Sequence, residues 1–444
     1  MSAQDTIFAL SSGHGRAGVA VIRISGPTAG IVLDAMAAPR PPPRYAAFRR
    51  VRHPHTGDIL DEALALWFPA PRSETGEDIA ELQVHGGAAV IRAVLDAIAA
   101  IDGCRMAGPG EFVRRAFENG RLDLTAVEGL ADLIDADTEA QRRQAVSQAS
   151  GALGRIYDGW RTRLIEARAF VEAAIDFSDE GDVAADALAK GHAQAEALAG
   201  EMTDALADAN RGEIIREGLR VVLAGPPNVG KSSLLNALAR RDVAIVSPEA
   251  GTTRDVIEAR LDLGGYAIVL TDTAGLRGAL GAVEAEGIRR TLEQTRRADI
   301  VLWMVDATDP LWTLPDDLGA RQDDTLFVVN KCDLALPPIA HGASCLSVQT
   351  GQGLEDLIDR LQDRVRAKLA VGGDAPAVIT QARHRHLLLR AVTALQRLLD
   401  DPAKPAEFQA EDLREAADAL GQIVGRIDVE DVLGQIFSRF CIGK

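Results

Sequence analysis

The chain has only four cysteines in 444 residues, and Cys104, Cys332, Cys345 and Cys441 fall at no metal-ligand spacing. That excludes a small disulfide-stapled scaffold and argues against structural zinc. No apolar run approaches the roughly 20 residues that a membrane-crossing helix requires. The opening Met1-Ser2-Ala3-Gln4-Asp5-Thr6 has no basic segment ahead of an apolar one, so neither a secretion signal nor a membrane partner is expected. The reading is cytoplasmic. Positive charge is also short: 48 Lys plus Arg against 65 Asp plus Glu leave −17, which suits no general coat for nucleic acid. There is one local exception. Arg40, Arg44, Arg49, Arg50 and Arg52, with His53 and His55, crowd a stretch that also holds Pro41, Pro42 and Pro43. A solvated, proline-stiffened loop is the preferred reading and a nucleic-acid contact the alternative, since net charge alone does not exclude an RNA partner.

What is present is an ordinary globular balance, 47% hydrophobic and 25% charged, which rules out disorder. At about 150 residues per domain the length suggests two or three domains. Residues 1–118 read as α+β: Val19 to Ile24, closed by Ser25-Gly26-Pro27, and Ala63 to Phe68 are strand-like, and Ala88 to Ile101 is helical. From 119 the texture turns to Ala-rich helices. Ile156, Trp160, Leu164, Ala167 and Val171 recur at helical spacing, as do Leu413, Ala416, Ala417, Leu420, Ile423, Val424 and Ile427. Between these blocks, strands and helices alternate as in a doubly wound parallel sheet, and Ala370 to Pro376 reads as a linker. The expected organisation is a multidomain α/β and α protein: residues 1–118, a discontinuous helical domain of 119–215 and 373–444, and an α/β domain, 216–372, inserted into it.

The inserted segment carries the chemistry. The apolar run Leu219 to Ala224 leads into Gly225-Pro226-Pro227-Asn228-Val229-Gly230-Lys231-Ser232, the pattern G-x-x-x-x-G-K-[ST] between a strand and a helix. Glycines let backbone N–H groups turn toward phosphates at the positive end of a helix. Lys231 would reach the β and γ phosphates and Ser232 would ligate Mg²⁺. Gly251-Thr252-Thr253-Arg254-Asp255 supplies a threonine for the same metal. Asp272-Thr273-Ala274-Gly275 supplies a carboxylate for it and a glycine N–H for the γ phosphate. Asn330-Lys331-Cys332-Asp333 selects guanine, because an Asp carboxylate accepts from a pair of N–H groups that adenine does not present. The site so read is Asn228, Val229, Gly230, Lys231, Ser232, Ser233, Ser247, Thr252, Thr253, Asp272, Thr273, Ala274, Gly275, Asn330, Lys331, Asp333, Ser347 and Val348. The residue after Asp-Thr-Ala-Gly is Leu276, which cannot orient water as the glutamine of Ras-like GTPases does. Arg277, Glu284 and Glu286 are the candidates to replace it, a carboxylate acting through a bridging water fitting better than a cation. Asn228 offers an amide oxygen to a monovalent cation beside the phosphates.

These boxes resemble the MnmE (TrmE) family of tRNA-modification GTPases, and so do several further runs. They include Gly15-Arg16-Ala17-Gly18, Val21 to Gly26, Thr75-Gly76-Glu77-Asp78, His85-Gly86-Gly87, Pro109-Gly110-Glu111-Phe112, Arg121-Leu122-Asp123-Leu124 and the ending Phe440-Cys441-Ile442-Gly443-Lys444. The resemblance covers essentially the whole chain. It implies an N-terminal domain that dimerises and binds 5,10-methylenetetrahydrofolate, with 5-formyltetrahydrofolate as analogue, at Arg23, Glu81, Arg121 and Lys444. It implies K⁺ at Asn228, Ser247, Glu249 and Thr252, Mg²⁺ at Ser232 and Thr253, Glu284 as the catalytic carboxylate beside Lys231, and a chemical role for Cys441. The implied function is addition of a carboxymethylaminomethyl-type group to the wobble uridine of certain tRNAs. The implied partner is the flavoprotein MnmG, in a heterotetramer or larger complex. FAD and NADH would belong to that partner. Taken without the resemblance, Arg23 on a strand reads as one half of a structural ion pair. Arg121 stands where lysine is common in the family, and Cys332 where a small residue is. A ribosome-assembly GTPase and a dynamin-like GTPase are the other classes with such boxes. The first would need an RNA-binding appendage and the second a basic amphipathic helix, and neither is found.

Overall fold

A computed structural model describes the chain except for residues 1–4, 14, 178–180, 242, 246–257, 273–295, 311, 313, 315–321, 336–341, 370–377, 428–429, 439, 441 and 444. The first elements are β1 (Thr6–Leu10), β2 (Ala17–Ser25), α1 (Ala29–Met36), β3 (Ala47–Arg52), β4 (Ile59–Phe68), β5 (Ile79–Gly86), α2 (Ala88–Ala99), β6 (Cys104–Met106) and α3 (Glu111–Glu118). Helices follow: α4 (Leu124–Ile134), α5 (Glu139–Ala149), α6 (Ala152–Asp176), α7 (Gly181–Ala207) and α8 (Ala209–Glu217). Then come β7 (Leu219–Ala224), α9 (Lys231–Ala239), β8 (Glu258–Leu263), β9 (Tyr266–Asp272), β10 (Ile300–Asp306), β11 (Thr325–Asn330) and β12 (Ser344–Cys345). The chain closes with α10 (Leu354–Leu369), α11 (Ala382–Asp400), α12 (Ala406–Val424) and α13 (Glu430–Phe437). Among the described residues no helix is long and apolar enough to cross a membrane.

Two compact units form, one from residues 1–131, 148–195 and 397–444, the other from 132–147 and 196–396. In the first, a six-stranded sheet runs β3-β4-β5-β2-β1-β6. Its pairings are antiparallel except β1 with β6. Alternation along β2 sends Ala20, Ile22 and Ile24 into a core with Val32 and Leu33 of α1 and Val94 and Ile98 of α2. Each of the isoleucine, valine and leucine side chains is worth about 1.5–3 kcal/mol when fully buried. The intervening Arg23 faces the other side, where Phe112 of α3 packs on Ile7 and Ala9. Gly26 ends β2 at φ +133, and a Cβ there would lie 2.7 Å from the Thr6 Cα, so only glycine closes this turn.

The arginine-rich stretch departs from its reading as a loop: Ala47 to Arg52 forms β3, at the sheet edge. The apolar alternation that would have signalled it is hidden because only Val51 of this strand is buried.

Helices α6 and α12 pack along each other, burying Tyr157, Trp160, Leu164, Ala167 and Val171 of one and Leu413, Ala416, Leu420 and Ile423 of the other. Tyr157 is fully buried, whereas neighbouring Ile156 is only half-buried. The second stripe stops short of Ile427. Gly425 takes φ 84 as the left-handed cap of α12, the conformation that ends helices.

In the second unit the order is β12-β11-β10-β7-β9-β8, all parallel except the edge strand β8. Strand β10 is apolar and buried from Ile300 to Val305, as expected of a parallel strand covered on both faces. One face is filled by Leu234, Leu235 and Leu238 of α9 and Leu357, Leu361 and Val365 of α10. The other gathers Val222, Val301, Trp303 and Phe327. Residues 132–147 fold with this unit, where the Ala140 N–H donates to the Gly265 carbonyl at 2.9 Å. The expected linker, 370–376, lies outside the described residues.

Candidate functional site

The phosphate loop leaves the carboxyl end of β7 between its neighbours β10 and β9, the crevice where open α/β sheets bind ligands. Three backbone positions shape it: Gly225 at φ 137, Asn228 at φ 65 and Gly230 at φ 98. A Cβ on Gly225 would lie 2.4 Å from the Met304 carbonyl oxygen, so the loop cannot pass β10 with any side chain there. Asn228 is exposed at the tip, in a conformation that asparagine tolerates better than most residues. Lys231 opens α9 and is 7% exposed. Its Nζ donates to the carbonyls of Gly225 at 2.9 Å and Pro226 at 2.8 Å, which brings the ammonium back over the loop.

Ser232 and Ser233 follow on α9, both exposed. The Ser232 hydroxyl donates to the Asp272 carboxylate at the end of β9. A hydroxyl and a carboxylate in contact beside the loop are hard oxygen donors of the kind Mg²⁺ takes. Thus the structure brings together two sequence boxes 40 residues apart.

The guanine box meets the phosphate loop through Asn330, which is 4% exposed. Its Nδ2 donates to the Val229 carbonyl at 2.8 Å, and its Oδ1 accepts from the Val348 N–H at 3.1 Å. One side chain therefore ties the phosphate loop to the Ser347–Val348 loop. Ser347 is buried, and its hydroxyl accepts from the Thr350 N–H at 3.2 Å. Asp333 is exposed. Cys332 packs on the cluster under the box together with Cys345. Burial and the Cys345 thiol push its pKa up to about 12, so it is a neutral thiol at pH 7.

Sequence reasoning missed Asp306. It closes β10, and its Oδ2 lies 2.5 Å from the Lys331 Nζ. Burial acts to raise its pKa, but hydrogen bonds from Lys331 and Thr308 outweigh it and hold the carboxyl below its ordinary value. The only signal was an acidic residue at the carboxyl end of an apolar strand. A carboxyl so depressed adds stability above its unfolded pKa, and the contribution disappears as pH falls through the folded value. Asp306→Asn should therefore lower the urea midpoint at pH 7, and lower it less at an acid pH where the folded carboxyl is becoming protonated. An equal loss at both pH values would show that packing rather than charge is responsible.

Ser247, Glu249, Thr252, Thr253, Thr273, Ala274, Gly275 and Glu284, with Arg277 and Glu286, lie outside the described residues, as do Cys441 and Lys444.

A second group sits in the first unit. Arg23 and Glu81 are cross-strand partners on β2 and β5, joined at 3.0 Å. Arg23 also meets Glu74 at 2.6 Å and lies 5.9 Å from the Phe112 ring centre. Arg121 runs past Gly76, where a Cβ would come within 3.3 Å of its Cγ. Of the four residues expected to hold folate, Arg23 and Arg121 thus lie beside the Glu74–Gly76 segment, and Glu81 is joined to Arg23. The motif acids Glu77 and Glu111 are occupied elsewhere: Arg115, 8% exposed, bridges them at 3.1 and 3.4 Å. The carboxyl-terminal tail lies on the same unit. Ile442 pairs with Pro109, and the Ser11 hydroxyl donates to the Gly443 carbonyl at 2.7 Å.

A phosphate loop, a metal-side carboxylate and a guanine box, set in order on a doubly wound parallel sheet, define a P-loop GTPase. The chain belongs to the MnmE family: the profile of the MnmE helical domain matches residues 124–441, and that of the GTP-binding protein TrmE N-terminus matches residues 6–121. It is 51% identical over 452 residues to the tRNA modification GTPase MnmE of Rhodopseudomonas palustris (strain BisB18), covering 100% of both chains. The protein of the same name from Methylorubrum populi is 52% identical over 99% of this chain and 98% of its own. The G domain of the T. maritima FeoB iron transporter is 27% identical over 33% of this chain and 98% of that one. Its TM-score of 0.25 is too low to carry a fold comparison.

Proposed function

We propose that this GTPase works with the flavoprotein MnmG to add a carboxymethylaminomethyl-type group to carbon 5 of the wobble uridine of certain tRNAs. The observation that carries the reading is likeness over the full length of curated tRNA modification GTPases. Residues 1–118 form the tetrahydrofolate-binding and dimerisation domain, 119–215 with 373–444 the helical domain, and 216–372 the inserted GTPase domain. The chain acts in the cytoplasm as a homodimer, joined by MnmG in a heterotetramer or larger complex.

Arg23, Glu81, Arg121 and Lys444 hold 5,10-methylenetetrahydrofolate, the one-carbon donor. The pairing of Arg23 with Glu81 and Glu74 supports this, since a guanidinium held between carboxylates is fixed in orientation and can offer its remaining N–H groups to a ligand carboxylate. In the GTPase domain, Ser232 and Thr253 hold Mg²⁺, and Asn228, Ser247, Glu249 and Thr252 hold K⁺. When bound, both cations supply positive charge beside the β and γ phosphates. Lys231 positions those phosphates, Asp333 reads guanine, and Glu284 orients the attacking water. Cys441 serves the modification chemistry.

GTP hydrolysis in K⁺ and in Na⁺ at matched ionic strength, with Glu284→Ala alongside, tests the GTPase half. K⁺ should accelerate turnover at least about tenfold, a modest part of the ~10³–10⁵ that an arginine finger supplies, and the variant should lose it. Equal rates in the two salts would sink the cation role. The tRNA half is read from wobble nucleosides of cells lacking the chain, by mass spectrometry.

A further inference from the structure

The arginine-rich edge strand is left unused by the GTPase chemistry and by the folate residues. Among the described residues strand β3 pairs only with β4, which leaves no described strand on its other edge. Arg40 and Arg50 are neutralised by Asp34 at 2.5 Å and Glu62 at 3.0 Å. The other three are not. Arg44 donates to the Arg72 carbonyl, Arg49 to the carbonyls of Pro39 and Phe48 at 2.8 Å each, and Arg52 to that of Gly57 at 3.0 Å. Among the described residues no carboxylate lies within ion-pair distance of these three. A guanidinium bonded to a carbonyl keeps its full charge while its position is set. The result is two fixed cations on the edge strand and a third, Arg44, just ahead of it over the Phe68 ring, in a chain whose net charge is −17.

Two exposed aromatic residues belong to the same stretch, Tyr45 just ahead of β3 at 70% and Phe48 on it at 62% exposure, Phe48 sharing a face of the strand with Arg52. Beside Phe48 opens a cavity of about 410 Å³, lined also by Met36, Pro39, Arg49, Arg50 and Arg52. Charged residues on an edge strand commonly serve only to block pairing with another sheet. That purpose does not account for bare aromatic rings, which would favour such pairing. Fixed guanidiniums interleaved with exposed rings match what an RNA strand offers, phosphates for the cations and base faces for the rings.

We propose that the β3 edge, through Arg44, Arg49, Arg52, Tyr45 and Phe48, is a docking surface for the phosphate backbone and an unstacked base of tRNA. The proposal rests on the tRNA reading above and names where on the chain that partner is held. Specificity does not reside here, because phosphate contacts position a nucleic acid without reading its sequence.

The test is fluorescence anisotropy with a tRNA transcript carrying uridine at the wobble position, across a salt series, on the full-length protein. The combined variant Arg44→Gln, Arg49→Gln, Arg52→Gln should bind at least about tenfold more weakly, with the log–log salt slope reduced by about 2–3. The combined lysine variant at the same three positions should keep most of the affinity and the slope. Tyr45→Ala with Phe48→Ala should weaken binding while leaving the slope alone. Circular dichroism and sedimentation of each variant report on folding and association. Unchanged binding by the glutamine variant overturns the surface, and so does equal loss in the glutamine and lysine variants. Absence of tRNA binding by the unmutated protein overturns it too. The modification reading is decided separately, by the wobble-nucleoside analysis.

Discussion

Lys231→Ala is expected to lower GTP turnover by about 10²–10³-fold, the cost of removing one preorganised charged donor from a reacting centre. The ammonium opens α9 and folds back onto the Gly225 and Pro226 carbonyls at 2.9 and 2.8 Å, so it is already stationed where phosphate oxygens enter the loop. It is also 7% exposed, and a charge shielded from water acts more strongly on developing charge than one at the surface. Lys231→Arg should not rescue activity. The planar guanidinium is larger and presents its donors as a rigid fork, whereas this position is shaped for a compact ammonium. Single-turnover hydrolysis at saturating GTP and Mg²⁺ reads the effect. A rate within threefold of the unmutated protein would mean that the ammonium takes no part in the chemistry.

Asn330→Ala should weaken nucleotide binding by about 30-fold or more, equivalent to about 2 kcal/mol. The amide is 4% exposed and makes one bond to each of two loops, to the Val229 carbonyl and from the Val348 N–H. Alanine leaves the buried Val229 carbonyl and the part-buried Val348 N–H without their partner, at about 1–3 kcal/mol for the buried group. Part of the penalty lowers the unfolding temperature. The rest lowers affinity, because the phosphate loop and the guanine loop no longer hold a fixed separation. Asn330→Asp is the sharper control: it can still accept from Val348 but turns a carboxylate oxygen toward the Val229 carbonyl. It should bind no better than the alanine variant. Titration with a fluorescent guanine nucleotide, paired with thermal unfolding, separates the two parts. Affinity within twofold in Asn330→Ala would show that the tie does not govern the site.

The nucleotide boxes were readable because each is a contiguous run whose spacing is dictated by backbone geometry. A strand followed by Gly225 to Ser232 admits few other structures once two glycines and a lysine must surround a phosphate. The parallel sheet was readable for a related reason. Strands buried on both faces are apolar throughout, as Ile300 to Val305 is, and alternate with helices. Strand β3 was not, because an edge strand that buries one residue carries no period-two signal against its arginines. Ile427 was assigned to a helical stripe because periodicity says nothing of where a helix stops, whereas Gly425 at φ 84 does.

Local pattern alone, then, determined the kind of protein this is: a GTPase sheet between helical segments behind an α+β domain. Partners far apart in the chain had to await the tertiary structure. Asp306 meets Lys331 25 residues away, Ser232 meets Asp272 across 40, and Asn330 reaches Val229 across 101. Arg23 finds Glu81 only because β2 and β5 run antiparallel in register. Spacing within an element is set by the element's own repeat, and is therefore written in sequence. Contact between elements is set by which faces bury together, and that is decided only when the whole chain packs.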